Sequence, residues 1–466
     1  MQFLLQNTLS GQKETFSPKH GNQVDYYSCG PTVYNVVHIG NLRAFLNADT
    51  LYRWMKYGMK YDVRWVMNIT DVDDKTIRDS QKEFPEMNPM EALLKFTRKY
   101  EEFFFRDLEI LSIHRDSFYK NPRATESIPE MQELIRSIME SGIGYEKDGS
   151  IYFSLEKYTE KSTYGRLVHL NLDAMKTGSR TLADEIEKEN VQDFVLWKAH
   201  KEGEPSWAFS LNGKNFPGRP GWHIECSAMS KAAFKKFPFD IHSGGVDLKF
   251  PHHEDEIAQS TAGYAEDTAR FWVHNEHLLV QGKKMSKSLG NFYTLHDLMK
   301  KGFSPAAIRF FLVTNHYQTK LNLSDESIFA AKNSLDRIHN KVREIQKNPA
   351  KQGKSLKKYR QSFEDALCDD LNTPQAAATL FEALDAESPH LEELEEFLRF
   401  AEQIFGVNFS PKNIEVPEKI LSLAKKRQDA RKRKDWKMAD ELRKEIESRG
   451  YEVRDEKEGI DFLQQK

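Results

Sequence analysis

Val24-Asp-Tyr-Tyr-Ser28, running into Cys29-Gly30-Pro31, is the stretch on which the reading of the fold turns. A short apolar and aromatic run that stops at a Gly-Pro pair predicts a strand followed by a turn. Gly40 to about Tyr57 (GNLRAFLNADTLYRWMKY) places Leu42, Phe45, Leu46, Leu51, Trp54 and Met55 close to helical spacing. Tyr61–Ile69 (YDVRWVMNI) is the next strand, with Thr70-Asp71-Val72-Asp73-Asp74 at its C-terminal end. Strand, helix and strand in that order predict an α/β, doubly wound parallel sheet. Ligands bind such sheets beyond the carboxyl ends of the strands, where Cys29 and Thr70 fall.

Outward from this core the pattern changes. Between about 85 and 205 lie long helical stretches (ALLKFTRKYEEFFFRDLEIL) and then a hairpin signal at Asp148-Gly149. This reads as an insertion in the sheet. Alternating α/β signals return from about 220 to 300, and beyond Ser304 the chain reads as helical almost to its end. Lys347–Lys358 and Ser410–Pro417 have linker composition. No internal repeat or low-complexity tract is evident.

The chain has 466 residues, 68 Lys and Arg against 71 Asp and Glu, and a formal net charge of −3. Thirty Phe, seventeen Tyr and seven Trp exclude a largely disordered chain. No run approaches the ~18 apolar residues that span a bilayer, so no membrane association is expected. MQFLLQNTLSGQKETF has no basic n-region or sustained apolar core, so no secretory signal is read there. Cys29, Cys226 and Cys368 are too few and too far apart for a disulfide framework, and a reducing cytoplasm is expected. The near-zero charge excludes a uniformly basic nucleic-acid coat but not a local patch. Charge is in fact segregated. Glu387, Glu392, Glu393, Glu395 and Glu396 lie in a stretch with no Lys or Arg, whereas Lys425–Lys444 carries ten basic residues against four acidic ones. That basic run reads either as a solvated helix face or as a phosphate-contacting patch.

Two motifs lie about 245 residues apart. His38-Ile39-Gly40-Asn41 sits where a loop enters a helix, and the free N–H groups of a helix start suit phosphate. Alone it is a weak signal, better read as a structural turn. Lys284-Met285-Ser286-Lys287-Ser288 follows a strand-like run, FWVHNEHLLV, and suggests an anion-binding loop. Chance occurrence of such a pentapeptide in a chain this long is on the order of one in several thousand.

The pair is similar to the signature of class I aminoacyl-tRNA synthetases. Neighbouring stretches narrow the resemblance to the cysteinyl-tRNA synthetase family: Cys29–Tyr34 (CGPTVY), Asn68–Lys75 (NITDVDDK), Gly221–Met229 (GWHIECSAM), Phe250–Ser260 (FPHHEDEIAQS), Asp370–Ala376 (DLNTPQA) and Lys434-Asp-Trp436. The resemblance covers nearly the whole chain. Asn35-Val36-Val37 and Leu42 depart from the family's usual sequence, and Gly459–Lys466 lacks the tryptophan often found there.

The resemblance implies a Rossmann-type catalytic domain in two halves, 1–125 and 206–303, split by an insertion at 126–205. A helical tRNA-binding bundle at 304–410 and a small anticodon-binding region at 411–466 would follow. It implies ATP-dependent activation of L-cysteine and its transfer to the 3′ end of tRNA(Cys), by a monomer. His38, Gly40, Asn41, Lys284 and Lys287 are then the ATP-binding residues. His38, Asn41, Lys284 and Lys287 are also catalytic, acting on the phosphates. Thr70, Trp222, His242 and Asp247 match the family's amino-acid pocket, although Trp222 reads equally as core and Thr70 as a helix cap. Mg2+ is expected with ATP.

His252 and Glu256 stand four apart on one expected helix face. Spacing alone, without a CxxC pair, reads as buried cysteines and a surface His–Glu pair. The family's zinc ligands map onto Cys29, Cys226, His252 and Glu256, implying one Zn2+ per chain, with His253 the rival to His252. A zinc ion binds thiolate far better than a hydroxyl, which would separate cysteine from serine. With tRNA as substrate, Arg431, Lys432, Arg433 and Lys434 become an RNA-contacting face. Trp436 reads as a base-stacking residue or a helix-packing one, and Cys368 as a buried structural thiol. Two rivals share the core: a cysteine:amino-sugar ligase of mycothiol-type synthesis, and a catalytically silent zinc and RNA-binding paralogue.

Overall fold

The two central strands of the sheet are buried on both faces, their polar residues included. In the computed structural model, which describes residues 1–168, 193–285, 290–347, 353–410, 417–449, 451–456 and 459–464, a hairpin of β1 (Phe3–Asn7) and β2 (Gln12–Phe16) leads into β3 (Gln23–Ser28). Helix α1 (Ile39–Arg53) carries the chain to β4 (Asp62–Met67), which pairs in parallel with β3. On the other side of β3 lies β11 (Phe239–Gly245) and then β12 (Ala269–Asn275), both parallel. The order β12-β11-β3-β4 reverses direction of growth at β3 and β11, and the predicted doubly wound sheet is present. Tyr26, Trp65, Ile241 and Phe271 enter one core with α1, whereas Tyr27, Val66 and Trp272 enter another behind the sheet.

The segment between the two halves begins with α2 (Asp74–Glu83), α3 (Pro89–Ile110) and α4 (Ile128–Glu140). An antiparallel sheet in the order β10-β7-β6-β5 follows: β5 (Gly144–Lys147), β6 (Ser150–Phe153), β7 (Phe194–Ala199) and β10 (Gly218–Pro220). Helix α5 (Leu155–Thr159) and a small hairpin, β8 (Ser210–Leu211) with β9 (Lys214–Asn215), decorate it. Asp148 and Gly149 both have positive φ, as the two-residue turn between β5 and β6 requires. This sheet runs on to Pro220, beyond the border expected at 205.

Helices α6 (Trp222–Phe234) and α7 (Glu254–Tyr264) cover the rear of the central sheet. After β12 the strand-like run FWVHNEHLLV breaks at Glu276-His277 into a second strand, β13 (Leu278–Val280). β13 pairs with β14 (Lys283–Lys284) and, in parallel, with β15 (Leu321–Leu323). Helices α8 (Leu295–Lys300) and α9 (Pro305–Val313) precede β15, and α10 (Asp325–Lys347), α11 (Lys357–Cys368), α12 (Thr373–Leu384) and α13 (Leu391–Phe405) form the helical region. Cys368 is buried, which pushes its thiol up to about 11. Of the expected linkers, residues 348–352 and 411–416 lie outside the described residues, and Lys347 and Lys357–Lys358 belong to the flanking helices α10 and α11. Residues 1–409 form one compact unit and 410–466 another. The second holds α14 (Glu418–Lys432), α15 (Trp436–Ser448) and a hairpin of β16 (Tyr451–Glu456) and β17 (Gly459–Gln464). The hairpin departs from the helical reading, because YEVRDE alternates at the period of a strand. Among the described residues no helix is long and apolar enough to cross a membrane.

Helix α1 is buried along most of its length, and its charges are buried with it. Asp49 accepts from Arg53 Nε at 2.7 Å and from Arg309 of α9. Arg309 also donates to the carbonyls of Phe405 and Leu111, and Arg53 to those of Gln403 and Ser112. Burial lowers the Arg309 guanidinium to about 10. Arg309→Met leaves Asp49 with one cation fewer in a dry site, and is expected to cost about 3 kcal/mol in urea unfolding. Arg78→Ala, at a solvent-exposed pair, should leave the midpoint unmoved.

Candidate active site and metal-ligand cluster

Cys29 is the first residue past β3, at the point where the sheet changes direction. Its N–H donates to Ser243 O of β11 at 3.1 Å, and the Gly30 N–H donates to Asn68 Oδ1 at 2.8 Å. A Cβ on Gly30 would lie 1.7 Å from the Asn68 carbonyl oxygen, so only glycine lets this turn lie against the end of β4. Asn68 Nδ2 donates to Thr70 Oγ1 (3.2 Å), which donates to Glu225 of α6 (2.8 Å). Cys226 follows Glu225, and its Sγ lies 3.8 Å from Cys29 Sγ. His252 and Glu256 meet through the expected i,i+4 geometry, Nε2 to Oε1 at 3.3 Å. Glu256 Oε1 lies 3.9 Å from Cys29 Sγ.

Two ligand sets have donor atoms close enough to share an ion: Cys29, Cys226, His252 and Glu256, or Cys29, His242, His253 and Glu256. The rear of the cluster is a group of imidazoles. His242 Nε2 lies 2.9 Å from Glu256 Oε2 and its ring stacks on Trp272. His253 Nε2 is 3.3 Å from Cys29 Sγ, and its Nδ1 is 2.7 Å from His274, which reaches Thr8 Oγ1 at 2.8 Å. His252 Nδ1 faces His223 at 3.2 Å. Burial holds these imidazoles neutral at pH 7, His242 at about 3 and His223 at about 4. Burial likewise pushes the Glu256 carboxyl and the Cys29 thiol well above their usual ranges. Among the described residues, the basic groups within reach of Glu256 are all imidazoles, so no charged partner there balances a carboxylate. A carboxylate, two thiols and an imidazole converging in a dry interior are a donor set that a divalent, thiophilic cation stabilises.

In front of the cluster lies a cavity of about 440 Å³, bordered by Cys29, His38, Gly40, Asn41, Trp222 and Asp247. His38 caps α1, and its Nδ1 accepts the Asn41 N–H at 3.1 Å, which leaves Nε2 protonated. Burial lowers its pKa, opposed by Asp247. The second motif flanks the first. The Ile39 N–H donates to Tyr293 O at 2.9 Å, the Phe292 ring meets His38 edge-on, and a Cβ on Gly40 would lie 2.4 Å from Met285 Cε. Lys284 is the last residue of β14, whereas Ser286, Lys287 and Ser288 lie outside the described residues.

Of the four expected pocket residues, Trp222 and Asp247 line the cavity. Thr70 and His242 are buried behind it. Trp222 stacks on His252, ring centroids 4.2 Å apart, and is 37% exposed, so the core reading does not hold for it. Sequence reasoning missed Lys75, which lines the cavity and lies over the Tyr34 ring. It closes the Asn68–Lys75 stretch, where a basic residue after three acidic ones was the available signal. Glu276 and His277 also line the cavity, hidden within an apparently continuous strand.

In the second unit, α14 and α15 pack through Ile420, Leu423, Ala424, Leu442 and Ile446. Lys432, Arg433 and Lys434 are exposed at the turn between them, and Arg431 is half-buried. Trp436 is 59% exposed, so it contributes little to that core.

Residues 15–333 match the family model described as tRNA synthetases class I (C) catalytic domain. Residues 362–407 match a DALR domain, and 414–462 a cysteinyl-tRNA ligase anticodon binding domain. The chain is 44% identical to the cysteine–tRNA ligase of Leptospira interrogans, over 97% of this chain and 98% of that one. It is 42% identical to the cysteine–tRNA ligase of Chlamydia muridarum, over 99% of each. Mycobacterium tuberculosis methionyl-tRNA synthetase in complex with methionyl-adenylate shares the fold, with a TM-score of 0.58 at 14% identity, over 82% of this chain and 90% of that one. With a catalytic domain, a cavity and near full-length relatives all in agreement, this chain belongs to the cysteine–tRNA ligase family of class I aminoacyl-tRNA synthetases.

Proposed function

We propose that the protein activates L-cysteine with ATP and then transfers it to the 3′ end of tRNA(Cys). The cysteine carboxylate attacks the α-phosphorus of ATP and pyrophosphate leaves. A terminal ribose hydroxyl of the tRNA then attacks the carbonyl of cysteinyl-adenylate and AMP leaves. The observation that carries this reading is the convergence of Cys29, Cys226, His252 and Glu256 behind a cavity rimmed by His38 and Asn41. In this reading residues 1–125 and 206–303 are the catalytic halves, 126–205 the insertion, whose sheet takes its edge strand β10 from the start of the second half, 304–410 the bundle and 411–466 the anticodon-binding region.

The four ligands suit one zinc ion per chain, with two thiolates and with His242 left to orient Glu256 from behind. When bound, zinc supplies a soft Lewis acid that prefers a substrate thiolate to a serine hydroxyl. His38 and Asn41 contact the phosphates through Nε2–H and the amide, and Lys284 and Lys287 neutralise pyrophosphate charge, with Mg2+ accompanying ATP. The Asp247 carboxylate suits the substrate ammonium, and Trp222 closes the pocket over it. Thr70 and His242 support the pocket from the rear. In the tail, Arg431, Lys432, Arg433 and Lys434 take phosphates, and the exposed Trp436 ring stacks an unpaired base.

The test is ATP–pyrophosphate exchange with cysteine against serine, followed by charging of tRNA. Cysteine-dependent exchange with tRNA charging is expected. Exchange that charges an amino sugar instead would overturn the tRNA assignment, and no exchange would overturn the reading altogether. Cys226→Ala is expected to lose both stoichiometric zinc, measured by metal analysis, and cysteine-dependent exchange. Because burial holds His38 below 6.5, it is deprotonated at neutral pH and gains its proton only as pH falls through that lower value. The acid limb of the exchange profile that Asn in place of His38 abolishes is therefore expected below pH 6.5. Reversing charge at residues 431–434 should raise the tRNA KM about tenfold and leave exchange intact.

A further inference from the structure

Asp370 opens the Asp370–Ala376 motif, to which the proposed reaction assigns no role. It is fully buried and has φ +57°, and Leu371 after it has φ +54°. Two successive non-glycine residues in the left-handed region are strained and persist only where their surroundings hold them. Those surroundings are specific. Asp370 Oδ1 accepts from Tyr317 Oη at 2.6 Å and from the Gln6 N–H at 2.8 Å. The Asp370 carbonyl accepts from His316 Nε2 at 2.9 Å, and its N–H donates to Leu4 O at 3.0 Å. Asp370 thus clamps the loop between α9 and β15.

That loop in turn holds α1. Arg43, two residues past Asn41, is fully buried. Its guanidinium donates to His316 O (3.3 Å) and Thr319 O (2.6 Å) on the loop, and to Glu276 O (2.8 Å) and His277 O (2.7 Å) at the β12–β13 break. Glu276 and His277 line the cavity. The loop also grips the break directly: the Glu276 N–H donates to Tyr317 O at 2.8 Å, and the Leu321 N–H to His277 O at 3.2 Å. Hydrogen bonds therefore run from the bundle turn through Tyr317 to Glu276 in the cavity wall, and through Glu276 and His316 to Arg43 on the helix that carries His38 and Asn41.

We infer that Asp370, Tyr317 and Arg43 are positioning residues for amino-acid activation, a relay by which the helical bundle sets the placement of helix α1 against the cavity wall. The inference rests on the reading of the cavity as the cysteine-activating site. None of the three needs to touch substrate. Misplacement of reacting groups by about 1 Å costs up to a hundredfold in rate, so small losses in the relay register in turnover.

The experiment is a double-mutant cycle of Tyr317→Phe and Arg43→Lys, read in cysteine-dependent pyrophosphate exchange with thermal unfolding alongside. Each single variant is expected to lower kcat about tenfold, with the KM for cysteine within about twofold of wild type. The double variant is expected to lose no more than the worse single one, since both break the same path. A folded Tyr317→Phe protein with wild-type kcat overturns the relay, and so do losses that multiply in the double variant. Should Arg43→Lys fail to fold, Asp370→Asn replaces it, and unchanged kcat in both Asp370→Asn and Tyr317→Phe overturns the proposal. Wild-type protein inactive with cysteine would instead sink the assigned reaction, which keeps the two failures apart.

Discussion

Helix α1 must be buried, and it carries Arg43, Asp49 and Arg53 into the interior with it. An unpaired charge in such a site costs several kcal/mol, so each has to be met by fixed partners. Asp49 meets Arg53 and Arg309, and Arg43 meets four carbonyls from two loops. Apart from Arg53, on α1 itself, these partners come from three parts of the first unit: α9, the break before β13 and the loop before β15. Satisfying the charges of one helix thereby joins the sheet to the helical region. The motif at the N-terminal end of that helix inherits its placement from the same contacts.

The site exploits the change of direction between β3 and β11. Neighbouring strands whose connections leave in opposite senses open a crevice at their carboxyl ends. Cys29 sits in that crevice, held by Ser243 on one side and, through Gly30, by Asn68 on the other. The chain Asn68–Thr70–Glu225 then reaches the residue before Cys226. Two thiols almost two hundred residues apart are brought to 3.8 Å by backbone and amide contacts independent of any ion. The imidazoles behind them remain neutral, and burial raises the Glu256 carboxyl, so that group ionises there only opposite a cation.

Much of the fold was legible because local periodicity and burial agree. VDYYS, the α1 segment and DVRWVM became strand, helix and strand within two or three residues of their expected limits, apart from the π-helical turn Trp54–Gly58 that ends α1. The Asp148-Gly149 turn was legible for a local reason too, since both residues need positive φ. FWVHNEHLLV was less so. Its apolar run hides a break at Glu276-His277 that exists because Arg43, far off in sequence, takes both carbonyls. Trp222 illustrates the converse. As an aromatic beside a buried helix it reads equally as core or as pocket, and it stacks on His252 at the cavity edge.

By itself the sequence determined the class of fold, the residue types of the site and the helical spacing that pairs His252 with Glu256. These depend on short-range geometry, which the order of residues states directly. Only the tertiary structure decided that Cys29 and Cys226 meet, that Thr70 and His242 lie behind the cavity rather than in it, and that Asp370 is linked to helix α1 through the loop that carries His316 and Tyr317. Those facts depend on where the sheet reverses and on which carbonyls a buried guanidinium finds. Both are outcomes of packing between segments hundreds of residues apart, and no local pattern encodes them.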